Sequence, residues 1–123
     1  MRSRLADLEL EVLDAIVVAR VSGEIDSSNA SELRLALLER LSNDVIGMVL
    51  DLTSATYVDS TGIALVFELA RGLEARRQSL RLAVPPSGPV RRVLDLCAVS
   101  SVAPVDDDPA AAVSALRAGA PAG

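Results

Sequence analysis

Short apolar runs alternate along this chain with longer segments whose apolar residues recur at helical spacing. The runs at residues 15–21, 45–52 and 80–84 are rich in Val, Ile, Leu and Ala. The segments between them favour helices, because their apolar residues fall on one face at a period of 3.6 residues. Strands that alternate with helices indicate a mostly parallel sheet with right-handed crossover connections.

The first of these runs is preceded by a strand of a different character. Residues 8–12 read Leu-Glu-Leu-Glu-Val, the period of a strand with one face in water. Together with residues 15–21 this strand predicts a hairpin that turns near Leu13 and Asp14. No Asn-Gly or Asp-Gly pair marks the turn.

The segment after the hairpin carries strong helix-start signals. Asn29 is followed three residues later by Glu32, the spacing of a capping box, and Ser28 is an alternative cap. The apolar stripe of this helix continues to Leu41, and the turn at residues 43–44 is predicted to end it. Later helices are predicted over residues 63–77, 90–96 and 109–117, with a last short strand within residues 99–105.

The predicted order of elements is β-β-α-β-α-β-α-β-α. This describes one α/β domain with about five strands and four helices over residues 8–117, followed by a flexible tail at residues 118–123. Half of the 123 residues are apolar and 2% are aromatic, so the core of this domain must be aliphatic.

Composition excludes several classes of function. The net charge is −5, which argues against a nucleic-acid partner. The chain has no histidine, which excludes Ser–His–Asp and Cys–His nucleophiles and histidine metal sites. Cys97 is the one cysteine, so no disulfide forms within the chain, and it is predicted to be a small buried apolar residue.

The apolar runs are also too short for a membrane protein. None approaches the ~20 residues that a spanning helix needs. The first ten residues lack the apolar core of a secretory signal. We therefore expect a cytoplasmic protein with no membrane insertion.

One stretch, Thr56–Ala70, places Asp59, Ser60, Thr61 and Gly62 between two apolar segments. The simplest interpretation is a helix cap, because Asp and Ser oxygens accept hydrogen bonds from the free N–H groups of a first helical turn. A serine nucleophile is excluded. That motif needs a glycine two residues before the serine, another two residues after it, and a histidine base; here Val58 and Gly62 hold the two positions and the chain has no histidine.

A phosphate-accepting receiver domain is a second alternative, with Asp51 at a strand end as the acceptor. Length and strand–helix alternation fit. Receiver domains also carry an acidic cluster after the first strand and a lysine near the last. This chain has Asp14 alone at the first turn and no lysine, which argues against this interpretation.

The stretch VLDLTSATYVDSTGIALV resembles the signature of the STAS family, the domain shared by sulfate transporters and anti-sigma factor antagonists. In that family an apolar strand ends near an Asp, and Asp-Ser-(Ser/Thr)-Gly opens a helix after a short loop. The family's second motif, Gly-Glu-(Leu/Ile)-Asp, is present at residues 23–26. The element order is similar to the family's from Leu8 to Arg117.

The chain most resembles the stand-alone bacterial anti-sigma factor antagonists. The resemblance implies that Ser60 is phosphorylated by an anti-sigma factor that is also a serine kinase of the histidine-kinase-like ATPase fold, and reset by a PP2C-type phosphatase. It implies partner binding through Asp26, Asp59, Ser60, Thr61 and Gly62. It also implies a binding domain that is not an enzyme and needs no cofactor or metal.

Two other STAS functions stay open at this point. One is a cytosolic STAS subunit of a lipid-transport ABC complex, in which no kinase takes part. The other is a STAS scaffold in a stress-sensing assembly. A neighbouring gene for a histidine-kinase-like ATPase would favour the antagonist, and an ABC transporter operon would favour the transport subunit.

Several polar residues also have simple structural interpretations. Asp26 suits a helix cap or a turn. Arg71, Arg76 and Arg77 suit a solvated helix face, and the acidic residues 106–108 suit helix capping and a solvated turn rather than a metal site.

Overall fold

A computed structural model describes residues 7–119 of the chain. Its strands are β1 (Asp7–Leu13), β2 (Ile16–Ile25), β3 (Gly47–Asp51), β4 (Ala55–Val58), β5 (Ser79–Ala83) and β6 (Val105–Asp106). Its helices are α1 (Ala30–Leu38), α2 (Ser60–Ala75), α3 (Pro89–Leu96) and α4 (Pro109–Gly119). Most of the segment searched for a secretory signal, residues 1–6, and residues 120–123 of the predicted tail lie outside the described residues.

Five strands form one sheet in the order β1-β2-β3-β5-β6, and β4 pairs with β2 outside that order. β1 is antiparallel to β2, and the other pairs are parallel. β2 is ten residues long and pairs with β3 and β4 over different stretches. Its first half, Ile16–Arg20, pairs with β3, and its last residues, Gly23–Ile25, pair with β4. The predicted fold class, a mixed and mostly parallel sheet with four helices, is confirmed.

Helices cover both faces of the sheet, which explains why β2 and β3 are apolar without alternation. On one face, Val17, Ala19 and Val21 of β2 pack in the main core with residues of α1, α2 and α3. On the other face, Ile16 and Val18 pack with residues of α4. β1 is different, because Leu8 and Leu10 pack against the main core while its glutamates and Val12 are exposed.

The predicted hairpin turn lies at Asp14 and Ala15, which both adopt positive φ, 49° and 67°. Two consecutive residues of positive φ match the twist of the strands that they join. Asp tolerates this conformation, whereas alanine adopts it at a steric cost. The pairing of Leu13 with Ile16 closes the hairpin despite the absence of a glycine.

Two strand predictions were incomplete or wrong. β4 was not predicted, because it has four residues and a single buried one, Val58, and its pairing partner lies about 30 residues earlier. The last strand was predicted within residues 99–105. There the chain forms a turn of 3-10 helix at Val99–Ser101, and strand pairing is limited to Val105 and Asp106. Ser100 and Ser101 are part of the 3-10 turn, and Pro104 has no N–H to donate to a neighbouring strand, so a longer strand cannot form here.

Three local predictions were also wrong. The side chain of Asn29 does not cap α1, because its amide instead holds the loop before the helix. α1 ends at Leu38, after which tighter i to i+3 hydrogen bonds form, including Leu41 N–H to Leu38 O at 3.1 Å. Cys97 is exposed rather than buried, because α3 ends at Leu96 and Ala98 turns the chain with φ 55°.

Candidate functional site

Asp26 and Asp59 follow the paired ends of two adjacent parallel strands. Ile25 of β2 pairs with Val58 of β4, and the N–H of Asp59 donates to the carbonyl of Ile25 over 3.2 Å. The two motifs recognised in the sequence therefore meet at one end of the sheet, although Asp26 and Asp59 are 33 positions apart along the chain. Pairing that the sequence did not predict brings them together.

Asp59 caps α2. Its backbone is extended, and its Oδ1 accepts hydrogen bonds from the N–H groups of Thr61 at 2.9 Å and Gly62 at 3.1 Å. The carboxylate accepts from N–H donors that have no partner within the helix, and its negative charge interacts favourably with the positive end of the helix dipole. The capping interpretation is confirmed.

Ser60 is the first residue of α2, and its side chain is exposed. Its hydroxyl has no hydrogen-bond partner among residues 7–119. Thr61, the next residue, is exposed as well. The helix anchors the backbone of Ser60 at the surface, since Ile63 and Val66 are buried in the main core.

Gly62 lets the start of α2 pack closely on the sheet. A Cβ at this position would lie 2.8 Å from Cγ1 of Val58, 3.0 Å from Cγ2 of Ile25 and 3.2 Å from the carbonyl oxygen of Ile25. Such distances leave no room for a side chain. Gly62 is therefore a packing residue that sets the distance between Ser60 and the strand ends, and it is itself buried.

Asp26 organises the loop before α1. Its Oδ1 accepts hydrogen bonds from the hydroxyl and, at 2.9 Å, from the N–H of Ser28. Asn29 holds the same loop, because its amide accepts from the N–H of Asp26 at 3.1 Å and donates to the carbonyl of Glu24 at 2.8 Å. The turn interpretation of Asp26 is confirmed, and its side chain is part-exposed.

The hydrogen bonds from Ser28, chiefly from its hydroxyl and then from its N–H, lower the pKa of the Asp26 carboxyl because they stabilise the ionised form. Ser28→Ala is therefore expected to raise the pKa of Asp26, as followed by NMR titration of the carboxyl carbon. Because the folded pKa is lowered, the stabilisation exists above the unfolded pKa and is lost as pH falls through the folded value.

Ser27→Ala is the matched control for this titration, since the Asp26 carboxylate accepts from Ser28 and not from Ser27. An Asp26 pKa that stays in place in Ser28→Ala would contradict the assignment of this hydrogen bond.

Tyr57 was not predicted as a site residue, yet it lies on β4 two residues before Asp59 and is 49% exposed. Successive side chains of a strand point to opposite faces, so Tyr57 points away from the face on which Val58 is buried. Exposed tyrosines are enriched at protein interfaces because they bury a large apolar ring and carry a polar tip. Its exposure could be predicted only after β4 was recognised as a strand.

Asp51 is inaccessible, which rules out the receiver-like alternative for this chain. Its side chain is fully buried and accepts a hydrogen bond from Nε of Arg20 at 2.9 Å and two from Thr53. The hydrogen bond and the charge of Asp51 raise the pKa of the Arg20 guanidinium. A carboxylate that is fully paired in this way stabilises the sheet and is closed to a phosphate donor.

The acidic residues near the C-terminal helix serve as ion-pair partners and caps. Asp106 pairs with Arg81 at 2.8 Å, and Asp107 lies 3.4 Å from Nη1 of Arg91. Asp108 accepts from the N–H of Ala111 at 2.8 Å at the start of α4. Within the described part of the chain, no group of three or more acidic or cysteine side chains is arranged to hold a metal ion.

Residues 7–112 match the sequence model of the STAS domain. The chain belongs to the STAS family. Among residues 7–119, no helix combines the length and apolar character that crossing a membrane requires.

The chain is similar to three anti-sigma factor antagonists. BtrV of Bordetella bronchiseptica, described as an anti-sigma factor antagonist, is 28% identical over 115 residues, which cover 93% of this chain and 97% of BtrV. An anti-sigma factor antagonist from Mycobacterium paratuberculosis superposes with a TM-score of 0.81 at 22% identity, covering 90% of this chain and 93% of that one. The anti-sigma factor antagonist SpoIIAA in its unphosphorylated form gives 0.76 at 24% identity, covering 94% and 100%.

A second SpoIIAA structure, that of the Bacillus cell fate determinant, shows the phosphorylated form. That structure gives a TM-score of 0.65 at 23% identity, covering 90% of this chain and 100% of SpoIIAA. At these identities the structural similarities establish a shared fold.

Proposed function

We propose that this protein is an anti-sigma factor antagonist that is switched off by phosphorylation of Ser60. The observation that carries the proposal is the exposed, unpartnered hydroxyl of Ser60 at the first position of a helix whose cap is already filled by Asp59. With Ser60 unphosphorylated, the protein would bind an anti-sigma factor, and the sigma factor held by that partner would be released. It would act by binding, without catalysis of its own.

The cap explains how a phosphate could be added without unfolding the domain. The carboxylate of Asp59 already accepts from the N–H groups of Thr61 and Gly62. A phosphate on Ser60 would add about −1.5 to −2 charges beside it. The positive end of α2 offsets part of the repulsion between the two anions. The added charge would therefore lie on the exposed side, facing a partner.

The exposed residues around Ser60 form a surface suited to a partner that recognises a neutral hydroxyl. Thr61 and Tyr57 are exposed on either side of it in sequence, and the part-exposed carboxylates of Asp26 and Asp59 flank it at the strand ends. We propose Tyr57 as an apolar anchor and the two carboxylates as polar contacts. Gly62 would contribute through packing, because it is buried.

The proposed partners are an anti-sigma factor that is also a serine kinase of the histidine-kinase-like ATPase fold, and a PP2C-type phosphatase. The names of the relatives support an anti-sigma factor as the partner, and the accessibility of Ser60 is what a kinase and a phosphatase would need. The fold of the kinase and the type of the phosphatase rest on the family resemblance. No kinase takes part in the function of the cytosolic transport subunit, so phosphorylation of Ser60 separates that alternative from the proposed function.

Incubation with the cognate kinase and ATP is expected to place one phosphate on Ser60, as mapped by mass spectrometry. Ser60→Ala should remain unmodified, and Thr61→Ala, which leaves an equally exposed hydroxyl at Ser60, should be modified as the unaltered protein is. Phosphate found on Thr61, or on any residue of Ser60→Ala, would contradict the proposed switch.

A further inference from the structure

A cleft of about 650 Å³ lies at the end of the sheet opposite Ser60. It is formed where β3 and β5 begin, between the last turns of α2 and α4, and residues such as Ile46, Ser79 and Gly119 line it. Arg71, the first arginine of the cleft, follows Ser60 by 11 residues on α2, so the two lie about 16 Å apart along the helix axis. The volume is within the range of small-molecule sites, roughly 300–1,000 Å³.

The cleft collects arginines that have no acidic partner. Five described arginines pair with a carboxylate: Arg20, Arg34, Arg81, Arg91 and Arg117. The remaining described arginines are Arg40, Arg71, Arg76, Arg77 and Arg92. Three of these, Arg71, Arg76 and Arg77, line the cleft, where Glu74 is the acidic side chain. Three of the five described arginines without an acidic partner therefore lie at this cleft, and one of them, Arg76, donates from Nη2 to the carbonyl of Leu41 at 3.2 Å.

Gln78, on the wall of the same cleft, has a buried acceptor without a donor. The residue is 7% exposed, and its Oε1 has no hydrogen-bond partner among the described residues. The amide orientation is fixed, because Nε2 donates to the carbonyls of Ser42 at 2.6 Å and Val45 at 2.8 Å. The reverse orientation would place the amide oxygen against two acceptors. An unpaired buried acceptor is costly, so it favours a ligand that supplies a donor.

We propose that this cleft binds a small organic phosphate whose body carries a hydroxyl or amino group. Guanidinium groups bind phosphate oxygens through paired N–H donors, so Arg71 and Arg77 would hold the phosphate. The hydroxyl or amino group would donate to Oε1 of Gln78 once the cleft wall shifts to uncover that atom, which is buried here. Val102, which is 42% exposed, and Leu116 provide an apolar wall for the rest of the ligand. The site is independent of the proposed function at Ser60.

The test is an NMR titration of the ¹⁵N-labelled protein with two probes, glycerol 3-phosphate and methyl phosphate. Both carry the phosphate, and glycerol 3-phosphate also carries hydroxyl donors. Both should give saturable shifts at Gln78, Ser79 and the last turn of α2, and glycerol 3-phosphate should bind more tightly. The double variant Arg71→Gln/Arg77→Gln should weaken its binding about tenfold or more, because two charge-assisted contacts are lost.

Two controls isolate the site from general attraction of anions. Arg40→Gln/Arg92→Gln makes the same change of net charge at exposed arginines outside the cleft and should bind as the unaltered protein does. Ser60→Asp, at the far end of α2, should also leave binding unchanged. Either control losing affinity like the cleft variant, or shifts that do not saturate, would overturn the proposal. Equal affinity for the two probes would overturn the role of Gln78.

Discussion

Ser60→Asp is expected to bind the cognate anti-sigma factor about tenfold or more weakly than the unaltered protein, while Ser60→Ala keeps its affinity. The added carboxylate must be desolvated against a surface shaped for a neutral hydroxyl, and it lies beside Asp59. A misplaced charge at an interface costs enough to give this loss, since ~1.4 kcal/mol corresponds to a factor of ten. Isothermal titration calorimetry with the purified partner measures it.

Ser60→Asp should leave the fold and its free energy of unfolding nearly unchanged. An anion in the first turn of a helix stabilises it by some tenths of a kcal/mol, and repulsion from Asp59 opposes this by a similar amount. Neither term approaches the ~5–15 kcal/mol that keeps a domain folded. Circular dichroism spectra and melting temperatures of the Asp and Ala variants should therefore nearly coincide.

Ser114→Asp is the matched control for the affinity measurement. Ser114 is exposed on α4, which packs on the other face of the sheet, so this variant adds the same charge away from the site. It should bind like the unaltered protein. If Ser60→Asp and the phosphorylated protein both bound with unchanged affinity, the antagonist switch would be wrong and the transport-subunit alternative would gain.

Gly62→Ala is expected to destabilise the domain by roughly 1–3 kcal/mol, the usual cost of overpacking a well-packed core. The new methyl group would lie 2.8 Å from Cγ1 of Val58, a buried and stiff β-branched side chain, and 3.2 Å from the backbone oxygen of Ile25. Relief requires a shift of α2 away from the strand ends, which would also displace Ser60. Chemical denaturation followed by circular dichroism measures the change.

Gly72→Ala makes the identical substitution in the same helix. There the nearest atom to the new Cβ is Cδ2 of Leu38 at 3.7 Å, an ordinary contact. Alanine should therefore stabilise the protein by about 0.5–1 kcal/mol, because glycine is the poorer helix former. Equal effects of the two substitutions would show that the close approach at Gly62 has no energetic consequence.

Much of the fold could be predicted from local pattern. The alternation in β1 and the apolar runs of β2, β3 and β5 identified strands, because burial on one or both faces leaves a direct trace in the sequence. Asp59 was recognised as a cap because capping is a local hydrogen bond between near neighbours. Asn29 carried the same local signal, and there the prediction failed, because its amide satisfies Glu24 and Asp26 instead.

The elements that escaped prediction depend on contacts between distant segments. β4 is a strand because its residues pair with the end of β2. A segment of four residues is too short for its own pattern to predict that pairing. The exposure of Cys97 depends on where α3 ends and how Ala98 turns the chain. Short elements carry too few buried residues for their pattern to be distinctive.

By itself, the sequence determined the class of the fold, the family and the position of Ser60 after a capping aspartate, because periodicity and capping are local. Only the tertiary structure decided that Asp26 and Asp59 meet at one sheet end, that Gly62 is required by the approach of Val58 and Ile25, and that unpaired arginines gather in a cleft at the other. Those relations arise from β2 pairing with both β3 and β4 and from the packing of α2 and α4, which join residues far apart in the chain.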